Sequence, residues 1–196
     1  MITVVLATHN AHKVTELRRI LDGLEVELIS GLDTELPDVD ETGDTFAANA
    51  LLKARACAGA SGLPAVADDS GIVVDALDGE PGVRSARYAG GHGDDEANLR
   101  LVLERLGDAT QRSARFVCVA ALVLPDGTEV TEEGRMEGVI THEPRGAGGF
   151  GYDPIFVADG QRRTNAELSA AEKDAISHRG AAFRALRPHL EKLAAG

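Results

Sequence analysis

An α/β fold, with a mixed twisted sheet and flanking helices arranged as two lobes about one cleft, is the architecture this sequence predicts. Three observations carry it. β-Branched runs alternate with helical periodicity through the first half, a Pro-Asp-Gly turn separates two long strand-like segments in the second, and the chain closes on an amphipathic helix. With 196 residues, 43% of them hydrophobic and 27% charged, the chain can bury a core without cross-links. No repeat, low-complexity tract or linker interrupts it, so residues 1–196 read as a single domain.

Thr3 to Ala7 is a β-branched run, polar Thr8-His9-Asn10 follows, and Val14, Leu17, Ile20 and Leu21 then recur at helical spacing up to Gly23. The chain therefore opens strand, loop, helix. Val26 to Ile29 makes a second strand, and an acidic loop runs through Pro37 to Gly43. Thr45 can cap a helix whose apolar face is Phe46, Ala50, Ala54 and Cys57 and whose end lies near Gly59 and Gly62. On its neighbouring face Asn49 and Lys53 stand one turn apart. Pro64 to Asp75 holds two apolar runs parted by Asp68-Asp69-Ser70-Gly71, which predicts a tight bend between strands. Leu99, Val102, Leu103 and Leu106 mark another helix, and Arg115–Leu124 and Thr128–Ile140 form a hairpin about Pro125-Asp126-Gly127. A glycine-rich loop spans Gly146 to Pro154. The final helix carries Phe183, Leu186, Leu190 and Leu193, with Pro188 as a kink or junction.

Charge narrows the function classes. The chain has 20 Lys and Arg against 32 Asp and Glu, a net charge of −12, which argues against binding polymeric nucleic acid or an anionic membrane surface. Cys57 and Cys118 have neither a metal-binding nor a disulfide spacing and read as buried apolar residues of a reducing cytosol. The longest apolar run, Phe116 to Leu124, is short of a membrane span, and the N-terminus has no basic region or cleavage site. A cytoplasmic protein is the expectation. Nine acidic residues and no Lys or Arg lie between Asp22 and Asp44, whereas Gln161 to Gly196 carries seven basic residues against four acidic. An acidic half facing a basic tail suits a metal-bound polyanion, although acidic loops can equally be solvated surface.

Asp68-Asp69 follows an apolar run and precedes Ile72-Val73-Val74, so both carboxylates need a hydrogen-bonded or metal partner, or else form an Asx-turn. The six histidines have no ligand spacing, so any metal site is oxygen-only, suited to Mg²⁺ or Mn²⁺. Gly146-Ala147-Gly148-Gly149-Phe150-Gly151 matches the letters of a dinucleotide fingerprint but not its context. Glu143-Pro144-Arg145 precedes it, and Asp153-Pro154 blocks the helix it would have to open. It reads instead as a loop presenting Phe150, Tyr152 and Asp153 to a base, or as a plain turn. Thr8-His9-Asn10-Ala11-His12-Lys13 lies between strand and helix, where its donors can surround phosphate or cap the helix. Glu172 to Gly180 alone reads as a solvated helix start.

Together, ATHNAHK (Ala7–Lys13), ETGDTFAANALLKA (Glu41–Ala54), ADDSG (Ala67–Gly71), PGVRSARYAG (Pro81–Gly90), GGFGYDPIF (Gly148–Phe156) and AEKDAISHRG (Ala171–Gly180) closely resemble the non-canonical purine nucleoside triphosphate pyrophosphatases, the dITP/XTP or inosine triphosphatase family. The resemblance spans nearly the whole chain in the family's order. It implies a central nucleotide-binding cleft, an elongated homodimer, and hydrolysis of ITP, dITP and XTP to monophosphate and pyrophosphate with Mg²⁺. It implies metal binding by Glu41, Asp69 and the adjacent Asp68, with Asp69 as catalytic base. The triphosphate would be held by Thr8, Asn10, Lys13, Lys53 and Ser70, with His9, Ala11 and His12 in the same loop. The base would be enclosed by Phe150, Gly151, Tyr152, Asp153, Lys173, His178 and Arg179. Two departures stand out: His9 where the family usually has glycine, and Arg135-Met136-Glu137-Gly138 where many members have an aromatic residue.

Physical chemistry adds limits to this. Lys13 and Lys53 can neutralise a departing pyrophosphate, while donors from Arg179, His178 or backbone N–H would pair a purine 6-keto oxygen. The 6-amino group of adenine would stay unpaired there, costing about 1–3 kcal/mol per contact. Asp153 would position Arg179 or another donor. Two rivals share these features: a phosphate-binding sensor without catalysis, and a pyrophosphatase for modified pyrimidine triphosphates.

Overall fold

In the computed structural model, which describes residues 2–91 and 93–195, the first strand, β1 (Ile2–Leu6), has both faces covered: Val4, Val5 and Leu6 are all buried. A parallel strand between helix layers requires this. β1 pairs in parallel with β2 (Val26–Ser30), Val4 opposite Leu28, and with β3 (Ala65–Val74), Val5 opposite Ala65. The intervening helices, α1 (Ala11–Ile20) and α2 (Phe46–Ser61), start where the sequence provides caps. Asn10 Oδ1 accepts from the N–H groups of His12 and Lys13, and Thr45 Oγ1 accepts from that of Ala48. Gly62 closes α2 in the left-handed conformation, at φ 67°.

The sheet has six strands in the order β2-β1-β3-β4-β5-β6, where β4 is Ser113–Val123, β5 Glu129–Ile140 and β6 Phe156–Ala158. β5 and β6 are antiparallel and β1 is parallel to both its neighbours, so the sheet is mixed, as expected. Helix α3 (Asp95–Leu106), capped by Asp94, precedes β4; α4 (Ala170–Ile176) and α5 (His178–Ala194, running through Pro188) complete the chain.

The chain divides into two compact units. The first comprises the chain up to Asp69, Cys118–Gly134 and the segment from Arg179 onward; the second comprises Ser70–Val117 and Arg135–His178. In the first unit, alternation along the strands builds two cores. Val4, Leu6, Val66, Cys118 and Ala120 pack with Leu17 of α1 and with Phe183, Leu186 and Leu190 of α5. Val5, Ala7, Ala65, Ala67, Val119 and Ala121 pack with Ala50, Ala54 and Cys57 of α2. In the second unit Ile72, Val102, Phe116, Tyr152, Ile155 and Phe156 meet in one core among the described residues.

Two expectations are corrected. Asp68-Asp69-Ser70-Gly71 is no bend: β3 continues through it without interruption, because cations and one amide brought from other elements meet the buried carboxylates within the strand. Glu172 to Gly180 is no solvated helix start: it spans the end of α4 and the start of α5, and Lys173, Ser177, His178 and Arg179 are all buried. Among the described residues no helix is long and apolar enough to cross a membrane.

Candidate active site

Period-two alternation along β3 sends its adjacent aspartates to opposite faces. Asp68 follows Val66 to the α1/α5 side, where Lys13 Nζ lies 3.0 Å and Arg179 Nη2 3.1 Å from its Oδ2; the Cys118 thiol also donates to that oxygen. Arg179 Nη1 donates to Glu16 Oε2 at 2.6 Å, and Asp68, Glu16 and Arg179 are all buried. Burial pushes the Asp68 carboxyl upward, but the Lys13 ammonium and the Arg179 guanidinium outweigh it and hold the group well below the usual carboxylate range.

Asp69 follows Ala67 to the α2 side. Lys53 Nζ lies 2.6 Å from Glu41 Oε1 and 3.5 Å from Asp69 Oδ1, and Asn49 Nδ2 donates to Asp69 Oδ2 at 3.1 Å. Here burial wins: it raises the Asp69 carboxyl above its ordinary value against the pull of Lys53, and Glu41 adds to the rise. Burial lowers Lys53, but Asp69, Asp68 and Glu41 together raise it, so it stays charged.

Glu41 and Asp69 thus share one cation, whereas Asp68, expected beside them, faces the other way. Among the described residues no group of three or more His, Cys, Asp or Glu is arranged to hold a metal. Two carboxylates that already converge on one ammonium nevertheless fit Mg²⁺, which is commonly bound by one or two carboxylates with the remaining positions left to water and substrate phosphate. Before this pair, Thr8 Oγ1 accepts the Asn10 N–H, and the cap on α1 uses the oxygen end of the Asn10 amide. The His9 ring lies against Gly31, where a Cβ would come within 2.9 Å of His9 Cγ.

In the second unit the glycine loop is shaped by close packing. Gly148 N–H donates to the Ala166 carbonyl at 2.9 Å, and a Cβ on Gly146 would stand 2.6 Å from the Ala166 carbonyl carbon. Asp153, buried, accepts from Lys173 Nζ at 2.6 Å, from the Phe150 N–H at 2.9 Å and from Asn165 Nδ2 at 3.2 Å. The partner of Asp153 is therefore Lys173, whose ammonium also lies 4.9 Å from the centre of the Phe150 ring. Gly151 N–H donates to Asp95 Oδ2. Tyr152 does not offer its ring as a surface, since it is buried in the unit's core and its hydroxyl donates to the Ser85 carbonyl at 2.7 Å. His178 stacks on Phe116, centroids 4.7 Å apart.

The chain as a whole is similar to proteins of known sequence and structure. The Ham1 family profile matches residues 4–189. This chain belongs to the Ham1 family. A dITP/XTP pyrophosphatase of Streptomyces coelicolor is 58% identical over 199 residues, covering 98% of this chain and 99% of the relative. One from Frankia alni is 59% identical, covering 97% and 98%. The structure of a HAM1 protein from Coxiella burnetii superposes with a TM-score of 0.89 at 45% identity, covering 98% of this chain and all of that one. The structure of a nucleoside-triphosphatase / dITP/XTP pyrophosphatase from Mycobacterium abscessus gives a TM-score of 0.77 at 52% identity, covering 95% and 99%.

Sequence reasoning about this Ham1 chain missed Glu16, Asn165 and Phe116 as supports. Glu16 had a signal, since it stands three residues after Lys13 on one helix face; the others are recognisable only by tertiary contact.

The loop yields a paired test. Gly151 and Gly149 have φ of 61° and 69°, so alanine at either should cost about 1–2 kcal/mol of left-handed strain. A Cβ on Gly151 meets nothing within 4 Å, while one on Gly149 lies 2.8 Å from Asp153 Cγ and closer still to its Oδ2. Urea midpoints should therefore fall clearly further for Gly149→Ala than for Gly151→Ala; equal losses would mean that the Asp153 carboxylate is not fixed.

Proposed function

We propose that this Ham1 chain hydrolyses ITP, dITP and XTP to the nucleoside monophosphate and pyrophosphate with Mg²⁺, residues 1–196 acting as one domain in a cytoplasmic homodimer. The observation that carries the reading is the placement of Lys13 and Lys53 among Asp68, Asp69 and Glu41. Those lysines are held in place by carboxylates and can form charge-assisted bonds to phosphate oxygens in their stead. The relatives named dITP/XTP pyrophosphatase support the same substrate class.

In this reading Thr8, His9, Asn10, Ala11 and His12 surround the triphosphate at the start of α1, with Ser70 following Asp69 on β3. Lys13 and Lys53 stabilise the departing pyrophosphate. Mg²⁺ would be held by Glu41 and Asp69, supplying charge neutralisation and a more acidic water. Asp69 accepts the proton of the water that attacks the α phosphorus; a cation on the same carboxylate would lower its proton affinity, so much of the water's activation would come from the metal rather than from the basicity of Asp69. Phe150, with Gly151, stacks on the base. Tyr152 anchors that loop from the core, and Asp153 holds Lys173 beneath it. His178, oriented by Phe116, and Arg179, oriented by Asp68 and Glu16, donate to the purine 6-keto oxygen.

The test is a nucleotide panel with Mg²⁺ and with chelator, scoring products. ITP, dITP and XTP should yield monophosphate plus pyrophosphate at rates at least tenfold above ATP. Diphosphate plus phosphate would refute attack at the α phosphorus, and binding without turnover would favour a sensor.

A further inference from the structure

Lys53 is not the only residue of α2 that reaches the carboxylate pair. Asn49, one turn earlier and fully buried, has both ends of its amide engaged: Nδ2 donates to Asp69 Oδ2 at 3.1 Å, and Oδ1 accepts the Gly43 N–H at 2.7 Å. Gly43 lies two residues after Glu41, at the end of the acidic loop. A Cβ there would fall 2.7 Å from Asn49 Oδ1 and equally close to the Ala48 methyl, so the loop backbone is pressed onto the first turn of α2. The polarity of the two bonds fixes the amide. A backbone N–H only donates and an ionised carboxylate only accepts, so one side chain joins them only if it carries an acceptor and a donor on one short fork.

We infer that Asn49 is a positioning residue that clamps the Glu41 loop to Asp69, holding their two carboxylates at the spacing one cation can bridge. The inference rests on the reading of Glu41 and Asp69 as the metal pair. Asn49 touches neither Lys53 nor Glu41 in any of the bonds described above; it acts through Gly43 on one side and through Asp69 on the other. Leucine in its place would fill the volume but leave a buried N–H and a buried carboxylate oxygen without this partner. Aspartate would keep the Gly43 bond and set a like charge against Asp69.

Supports of this kind, one bond removed from the cation, typically change metal affinity ten- to a hundredfold. The experiment is a Mn²⁺ titration of the nucleotide-free protein followed by electron paramagnetic resonance, on wild type, Asn49→Ala, Asn49→Ser and Glu41→Gln. It is paired with the Mg²⁺ concentration giving half-maximal ITP hydrolysis and with urea midpoints. Asn49→Ala should weaken Mn²⁺ binding and raise the Mg²⁺ requirement by about ten- to a hundredfold, with a smaller loss of kcat at saturating Mg²⁺. Asn49→Ser, the milder replacement, should shift both in the same direction even if the alanine variant folds poorly. A lowered urea midpoint with an unchanged Mn²⁺ affinity overturns the inference, because a merely structural amide would do only that. Unchanged Mn²⁺ affinity in Glu41→Gln overturns the metal pair and the clamp together, while loss there with none in the Asn49 variants overturns the clamp alone.

Discussion

Asp69→Asn is expected to lower kcat/KM for ITP by about a thousandfold, and at neutral pH the metal-free variant should melt at a higher temperature than wild type. Both effects follow from one carboxylate. Burial raises the Asp69 carboxyl, Lys53 opposes this only in part, and the nearby Glu41 adds to it. A group whose folded-state pKa lies above its unfolded value of about 4 imposes no penalty on folding below that value. The penalty grows as pH rises between the two pKa values and is complete above the folded one. An amide removes it, accepts the Asn49 bond with its own oxygen, and leaves Lys53 its 2.6 Å partner Glu41. The thermal gain should therefore be present at pH 7–8 and vanish below about pH 4. Activity moves the other way, because an amide neither takes the proton of water nor neutralises a cation, and removing a positioned base costs about 10²–10⁴-fold. Stability given up for a carboxylate where chemistry needs it is typical of active sites. Turnover within tenfold of wild type would remove Asp69 from the mechanism. A lower melting temperature at pH 7.5 would refute the electrostatic account while leaving the catalytic one standing.

What was legible in the sequence was what is decided locally. The caps at Asn10 and Thr45, the glycine end of α2 and the Pro-Asp-Gly hairpin all depend on residues within a few positions of one another, and all appear where the pattern places them. The run Asp68-Asp69-Ser70-Gly71 reads as a bend in sequence but is strand in the structure, for the complementary reason. A pair of carboxylates looks incompatible with a buried strand until its partners are known. Those partners are remote: Arg179 is 111 positions from Asp68, Cys118 is 50, and Asn49 is 20 from Asp69. The same holds for Tyr152, which the loop's composition offers as a stacking surface but which tertiary packing buries under Ser85. The family motifs brought these residues into consideration, and the alternation of β3 sorts them by face. Asp69 goes with Glu41 and Lys53, and Asp68 with Lys13 and Arg179, a partition that no spacing along the chain announces.

That partition sets up the largest stability effect. Arg179→Met should destabilise the protein by about 3–5 kcal/mol at neutral pH, lowering the melting temperature by roughly 6–20 °C for a chain of this size. Methionine approximates the volume and removes the charge, so the loss is electrostatic. Wild-type Arg179 is buried, and its own burial, which disfavours the cation, is overcome chiefly by Asp68 and with it Glu16, so it is charged at every accessible pH. Without it, Glu16 loses a 2.6 Å bond and Asp68 keeps Lys13 but loses the guanidinium. The sign with pH follows from Asp68, whose folded carboxyl lies below the unfolded value near 4. Its contribution is present above that value and is lost as pH falls toward the folded one. The gap between wild type and variant should therefore be widest above about pH 5 and narrow steadily in more acid solution. Adding Glu16→Gln to Arg179→Met should restore part of the stability, because it replaces a buried anion that has lost its cation with a neutral amide; a double-mutant cycle reads the coupling directly. An Arg179→Met protein as stable as wild type at pH 7.5, or a gap that does not change with pH, would show that the buried cluster is held by packing and not by charge.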